Sequence, residues 1–124
     1  MQVQLGAVLA DDREAVTLIL EGDQVPGVFL KQDAAELSGT IERLAMVRAN
    51  MAPEVVRELD PGSRVLPVAD PIWRVTMAPD GAATLAFRHP GYGWVVFQLP
   101  PGEIATLGKF LVTAARPKPI GTAA

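Results

Sequence analysis

The segment Arg88-His89-Pro90-Gly91-Tyr92-Gly93-Trp94 crowds together a cation, the chain's one histidine and two aromatic rings. Side chains of these types at such close spacing can hold and work on a ligand. Arg88 would clamp an anion, His89 would transfer a proton, and Tyr92 with Trp94 would form a stacking platform. These four are the candidate binding residues. The same segment also reads as a Gly/Pro hairpin loop whose aromatics plug the end of a core. The matching stretch of the first half, Gly22-Asp23-Gln24-Val25-Pro26-Gly27, keeps the Gly and Pro and has no reactive group. The structural role is therefore the favoured one. A lone imidazole has no second imidazole to share a metal and no Cys to activate, and only Asp70 or Asp80 is at hand to orient it. No catalytic residue, metal site or cofactor is expected.

Other arrangements that carry chemistry are missing from the sequence. Asp11-Asp12-Arg13-Glu14 is rich in carboxylates but lacks the alternate oxygens, glycine and distal Glu of a calcium loop, so it reads as a solvated hairpin turn. No Gly-rich fingerprint follows a strand, and neither Ser38 nor Ser63 sits in a nucleophile elbow. The absence of Cys excludes disulfides, thiolate nucleophiles and Cys-ligated metal centres. Glu36 and Glu103 stand at matching helix starts, where a carboxylate stabilises the positive end of the helix dipole.

The elements that must position these residues follow from periodicity. Val3, Leu5, Ala7 and Leu9 alternate with Gln2, Gln4, Gly6 and Val8, the pattern of a half-buried strand. Val16 to Leu20 and Val28 to Lys31 give two more, with Gly22-Asp23 and Pro26-Gly27 between them. Asp33 is an N-cap with Glu36 at the third helical position, and Leu37, Ile41 and Leu44 form one helical stripe. Met51-Ala52-Pro53 ends the helix, Glu54 to Leu59 makes one more turn, and Asp60-Pro61-Gly62-Ser63 stops it. Ile72 to Met77, Ala83 to Arg88 and Gly93 to Leu99 are the next strands, with an Asp80-Gly81 hairpin turn between the first two. Pro100-Pro101 starts a second helix faced by Ile104, Leu107, Phe110 and Leu111.

The second half thus repeats the first at an offset of about 67 residues. Thr17/Thr84, Leu18/Leu85, Val28/Val95, Glu36/Glu103 and Leu44/Leu111 coincide without a gap. The expected fold is α+β, with two pseudo-repeated βββα units forming antiparallel sheet and two main helices packed on it. One domain is expected over 1–115: repeat 1 at about 1–52, a linker at 53–63, repeat 2 at about 64–115 and a flexible tail at 116–124. Each repeat has only about 60 residues, too few to cover a sheet face and a helix stripe alone, so the two should pack together. Phe29 and Val96 put apolar bulk on the sheet side opposite Val28, Leu30, Val95, Phe97 and Leu99, and Trp94 adds to it. A sheet apolar on both sides points to a homodimer with Phe29, Val96 and Trp94 at the interface.

An apolar fraction of 49% and a charged fraction of 20% are those of a folded globular chain. Neither a signal peptide nor a span of about 20 apolar residues is visible, so a soluble cytoplasmic protein without membrane contact is expected. The net charge of -3 hides a division. Met1 to Gly62 carries 11 acidic against 5 basic residues, and Ser63 to Ala124 carries 3 against 6.

Function is read as a non-enzymatic protein-interaction module, with a protein partner, a second copy, or both. The first alternative is a single-stranded nucleic-acid binder. Strands followed by a helix, used in pairs, is similar to the architecture of PUR repeats, a resemblance of layout that implies single-strand binding on a sheet. Arg64, Arg74, Arg88, Trp73, Tyr92 and Trp94 would be its basic and aromatic pieces, and the net acidic charge counts against it. The second alternative is a small ligand-binding domain or enzyme with its site at the Arg88–Trp94 loop.

Overall fold

The computed structural model describes residues 2–116. The tail expected at 116–124 lies, from residue 117 on, outside the described residues. The chain divides into two units, Met1–Arg64 and Val65–Ala124, each with the order strand, strand, strand, helix.

In the first unit, β1 (Val3–Leu9), β2 (Ala15–Gly22) and β3 (Val25–Asp33) form an antiparallel meander, followed at once by α1 (Ala34–Ala49). The β1–β2 turn is set by Asp12, whose Oδ1 accepts the Glu14 N–H at 3.0 Å, and by Arg13, which takes the left-handed region at φ 64°. A bulge between Leu20 and Gly22 adjusts the second hairpin. Asp33 and Glu36 form a reciprocal capping box: the Glu36 N–H donates to Asp33 Oδ1 at 2.8 Å and the Asp33 N–H to Glu36 Oε1 at 3.1 Å. Gln32 Nε2 donates to Thr40 Oγ1 at 2.8 Å and ties the helix to the sheet. Asn50 ends the helix, its side-chain amide donating to the Met46 carbonyl at 2.9 Å.

The second unit repeats this with β4 (Trp73–Met77), β5 (Ala83–His89), β6 (Gly93–Leu99) and α2 (Pro101–Ala114). Its first turn is the same turn rebuilt. Asp80 Oδ1 accepts the Ala82 N–H at 2.9 Å, and Gly81 holds the left-handed position at φ 91° that Arg13 holds in the first unit. This turn is one residue shorter than its counterpart, because Leu9 pairs with Val16 whereas Met77 pairs with Ala83. The ungapped offset therefore starts at β2, and β1 aligns with β4 one residue further along.

Register sorts the side chains onto two faces. In the first sheet the rows Leu5–Leu20–Val28, Ala7–Leu18–Leu30 and Leu9–Val16–Gln32 share the face that carries α1. The corresponding rows of the second sheet are Trp73–Phe87–Val95, Val75–Leu85–Phe97 and Met77–Ala83–Leu99. We call these the helix faces and their opposites the outer faces. Burial follows the repeat. Val16 and Ala83, the buried apolar residues among those described, occupy equivalent positions. Of the half-buried residues of α1, Leu37, Thr40 and Ile41 match Ile104, Leu107 and Gly108 of α2, whereas Gly39 has the exposed Thr106 as its counterpart, and beyond Ile41 and Gly108 both helices are exposed.

Two expectations are corrected here. β1 is not half-buried but exposed along its whole length, since α1 reaches only the Val16 end of the helix face. No helical turn forms over residues 54–59, where the Arg57–Glu54 ion pair at 3.0 Å is the local order. Seven residues between Pro53 and Pro61 are too few to offset the cost of nucleating a helix.

Candidate functional site

The β5–β6 hairpin carries all four candidate binding residues but does not gather them. Arg88 pairs with Trp94 and His89 with Gly93, so strand alternation sends Arg88 and Trp94 to the outer face and His89 to the other. Tyr92 stands exposed in the loop with its ring against His89, centroids 4.3 Å apart and planes tilted by 38°. Gly93 at φ 79° lets the chain re-enter the sheet.

His89 is occupied by its own loop. Its Nδ1 accepts the backbone N–H of Gly91 at 2.9 Å and of Tyr92 at 3.1 Å, which makes Nδ1 an acceptor and leaves the ring proton on Nε2. The imidazole thus serves as Asp12 and Asp80 serve in the first turns, satisfying loop N–H groups that no strand partner reaches. Asp80 is committed to its own turn, and no carboxylate bonds to the imidazole among the described residues. The Nδ1 bonds orient the ring for the loop, and proton transfer at His89 would have only Nε2 to work with and no carboxylate among the described residues to assist it. No group of three or more His, Asp or Glu side chains that could hold a metal occurs among the described residues.

A different set does converge. Arg74, two strands from Trp94, lies on the same outer face, in the row Arg74–Ala86–Val96. With Ala86, Trp94 and Val96 it lines a shallow cavity of about 340 Å³, and Arg88 stands beside Trp94. Trp73 is on the helix face opposite Phe87 and so does not join the set, and Arg64 belongs to the first unit. Applying alternation to Trp73 and Arg74 as neighbours in sequence is enough to separate them. The interface candidates Phe29, Val96 and Trp94 are all exposed, and register puts Phe29 and Val96 on outer faces at equivalent positions.

Exposed apolar side chains also gather on the helix faces. On the helix face of the second sheet Trp73, Met77, Phe87 and Phe97 are exposed, as are Leu5, Leu20, Val28 and Leu30 on that of the first. The exposed ends of the helices extend the apolar character with Leu44 and Val47 in α1 and Phe110 and Leu111 in α2. No helix is long and apolar enough to cross a membrane among the described residues. No protein-family model matches this chain, and no curated protein or solved structure is similar enough to it to suggest a relative.

Proposed function

We propose that the protein is a non-enzymatic protein-interaction module that works as a homodimer, a second copy covering its helix faces. The observation that carries this reading is the apolar character of those faces together with their exposure. The rings of Trp73, Phe87 and Phe97 alone leave roughly 300 Å² of apolar surface uncovered, taking about 200 Å² for a whole aromatic side chain. Adding the aliphatic rows and the ends of the helices brings each copy into the range of about 800 Å² that a stable interface needs. Monomeric soluble proteins rarely expose contiguous apolar surface on this scale, which supports a covering partner.

Charge supports a particular pairing. The first unit carries 11 acidic and 6 basic residues, the second 3 and 5. First unit on first unit would bring two net negative surfaces together, whereas the first unit of one copy on the second unit of the other brings opposites together. Two such contacts related by a twofold axis close a dimer. A cytoplasmic location belongs to the same proposal. The test is the solution mass by light scattering: a dimer that Leu30→Asp dissociates supports the reading, and a monomer across the accessible concentration range refutes it.

A further inference from the structure

We infer that the outer face of the second sheet binds single-stranded nucleic acid, with Trp94 as the stacking platform and Arg74 and Arg88 as the phosphate contacts. This goes beyond the self-association of the helix faces and uses the opposite side of the sheet. Ala86 forms the floor of the cavity, and its small side chain leaves open the space between Arg74 on one strand and Trp94 on the other. Arg88 is directly across from Trp94, and Arg74 and Arg88 are diagonal neighbours roughly 7 to 8 Å apart. Among the described residues the only ion pair is Arg57 with Glu54, so neither guanidinium is neutralised by a carboxylate. The rest of the face is Thr76, Thr84, Val96 and Gln98, with no acidic side chain.

The repeat supplies an internal control. The first sheet follows the same plan as far as the Leu20–Val28 pair, beyond which a bulge shifts its register, and the residues that the repeat matches to Arg74, Arg88 and Trp94 are Gly6, Glu21 and Gly27. A sheet of this design therefore forms without the two cations and without the ring, so they are not needed to hold the fold. Both cations and the ring occur together in one unit, and that unit is the one with a basic excess.

The openness of the site selects the ligand. A pocket for a free nucleotide encloses most of its ligand, whereas here Trp94 is 50% exposed and the cavity is a shallow dish. A polymer adds many weak contacts and does not need enclosure. A base must be unpaired to offer its face to an indole, which selects a single strand over a duplex.

The experiment is fluorescence anisotropy of a labelled 12-residue oligo-dT with the full chain, titrated between low and physiological salt. Binding is expected, with log K falling against log salt at a slope of about -1.4 for two phosphate contacts. Arg74→Gln and Arg88→Gln should each flatten the slope by about 0.7, and Trp94→Ala should weaken binding roughly 5- to 150-fold. In a Trp73→Phe background the remaining tryptophan is Trp94, and its emission should be quenched by the oligonucleotide. No binding at low salt overturns the inference. So does binding that both Arg74→Gln and Arg88→Gln leave unchanged, or quenching absent from the Trp73→Phe protein. A duplex or free dTMP competing as well as the oligonucleotide overturns the single-strand assignment.

Discussion

Phe97→Asp is the sharpest probe of the self-association proposed for the helix faces. Phe97 ends the central row Val75–Leu85–Phe97 and is 57% exposed. Covering that remainder would bury roughly 110 Å² of apolar surface, which at about 25 cal/mol per Å² is worth about 3 kcal/mol per copy. A symmetric dimer contains two such residues, so losing both rings weakens association by about 6 kcal/mol, on the order of 10⁴-fold in Kd. The aspartate also forces a carboxylate into a contact without a counterion, which adds to the loss. The same substitution in a free unit changes a half-exposed strand position and should cost about 1 kcal/mol or less. Sedimentation from 1 to 100 μM, concentrations chosen to bracket about micromolar affinity, should give about 26 kDa for the wild type and 13.2 kDa for the variant, with unchanged far-ultraviolet circular dichroism. Phe29→Asp, on the outer face, should leave the dimer intact. A wild type at 13.2 kDa throughout, or a Phe97→Asp protein that stays dimeric, refutes the reasoning; a dimer lost only with Phe29→Asp moves the interface to the outer face.

Three further outcomes follow from local structure. Arg13→Gly should stabilise the first unit by up to about 1 kcal/mol in urea denaturation, because Arg13 holds a left-handed conformation, whereas Gly81→Ala should cost the second unit about 1 to 2 kcal/mol for the same reason. Asp33→Ala removes one half of the capping box and should cost about 1 kcal/mol, seen as faster amide exchange in the first turn of α1. His89→Ala should speed amide exchange at Gly91 and Tyr92, and His89→Asn, which returns an acceptor to the same place, should slow it again; exchange indifferent to both would remove the loop role assigned to the imidazole.

Much of the architecture is legible in the sequence because its determinants are local. Asp33 and Glu36 announce a helix start by spacing alone, and Asp80-Gly81 announces a turn. The equivalent turn at Asp12-Arg13 is harder to read, since an arginine stands where the conformation favours glycine, and the one-residue difference between the two turns hides the match of β1 with β4. The candidate site misleads for a related reason. Arg88, His89 and Trp94 are close in sequence, but a strand sends neighbours to opposite sides, so Arg88 and Trp94 gain Arg74 as a companion and lose His89. Alternation in β1 raises the deeper point. Leu5, Ala7 and Leu9 mark a face that burial would favour, and within its own unit that face is left in water. A hydrophobic pattern records what the working state of a protein covers and is silent about which molecule does the covering. Where such a pattern and the burial within a unit disagree, as they do in both sheets here, the disagreement marks the surface on which the proposed self-association would act.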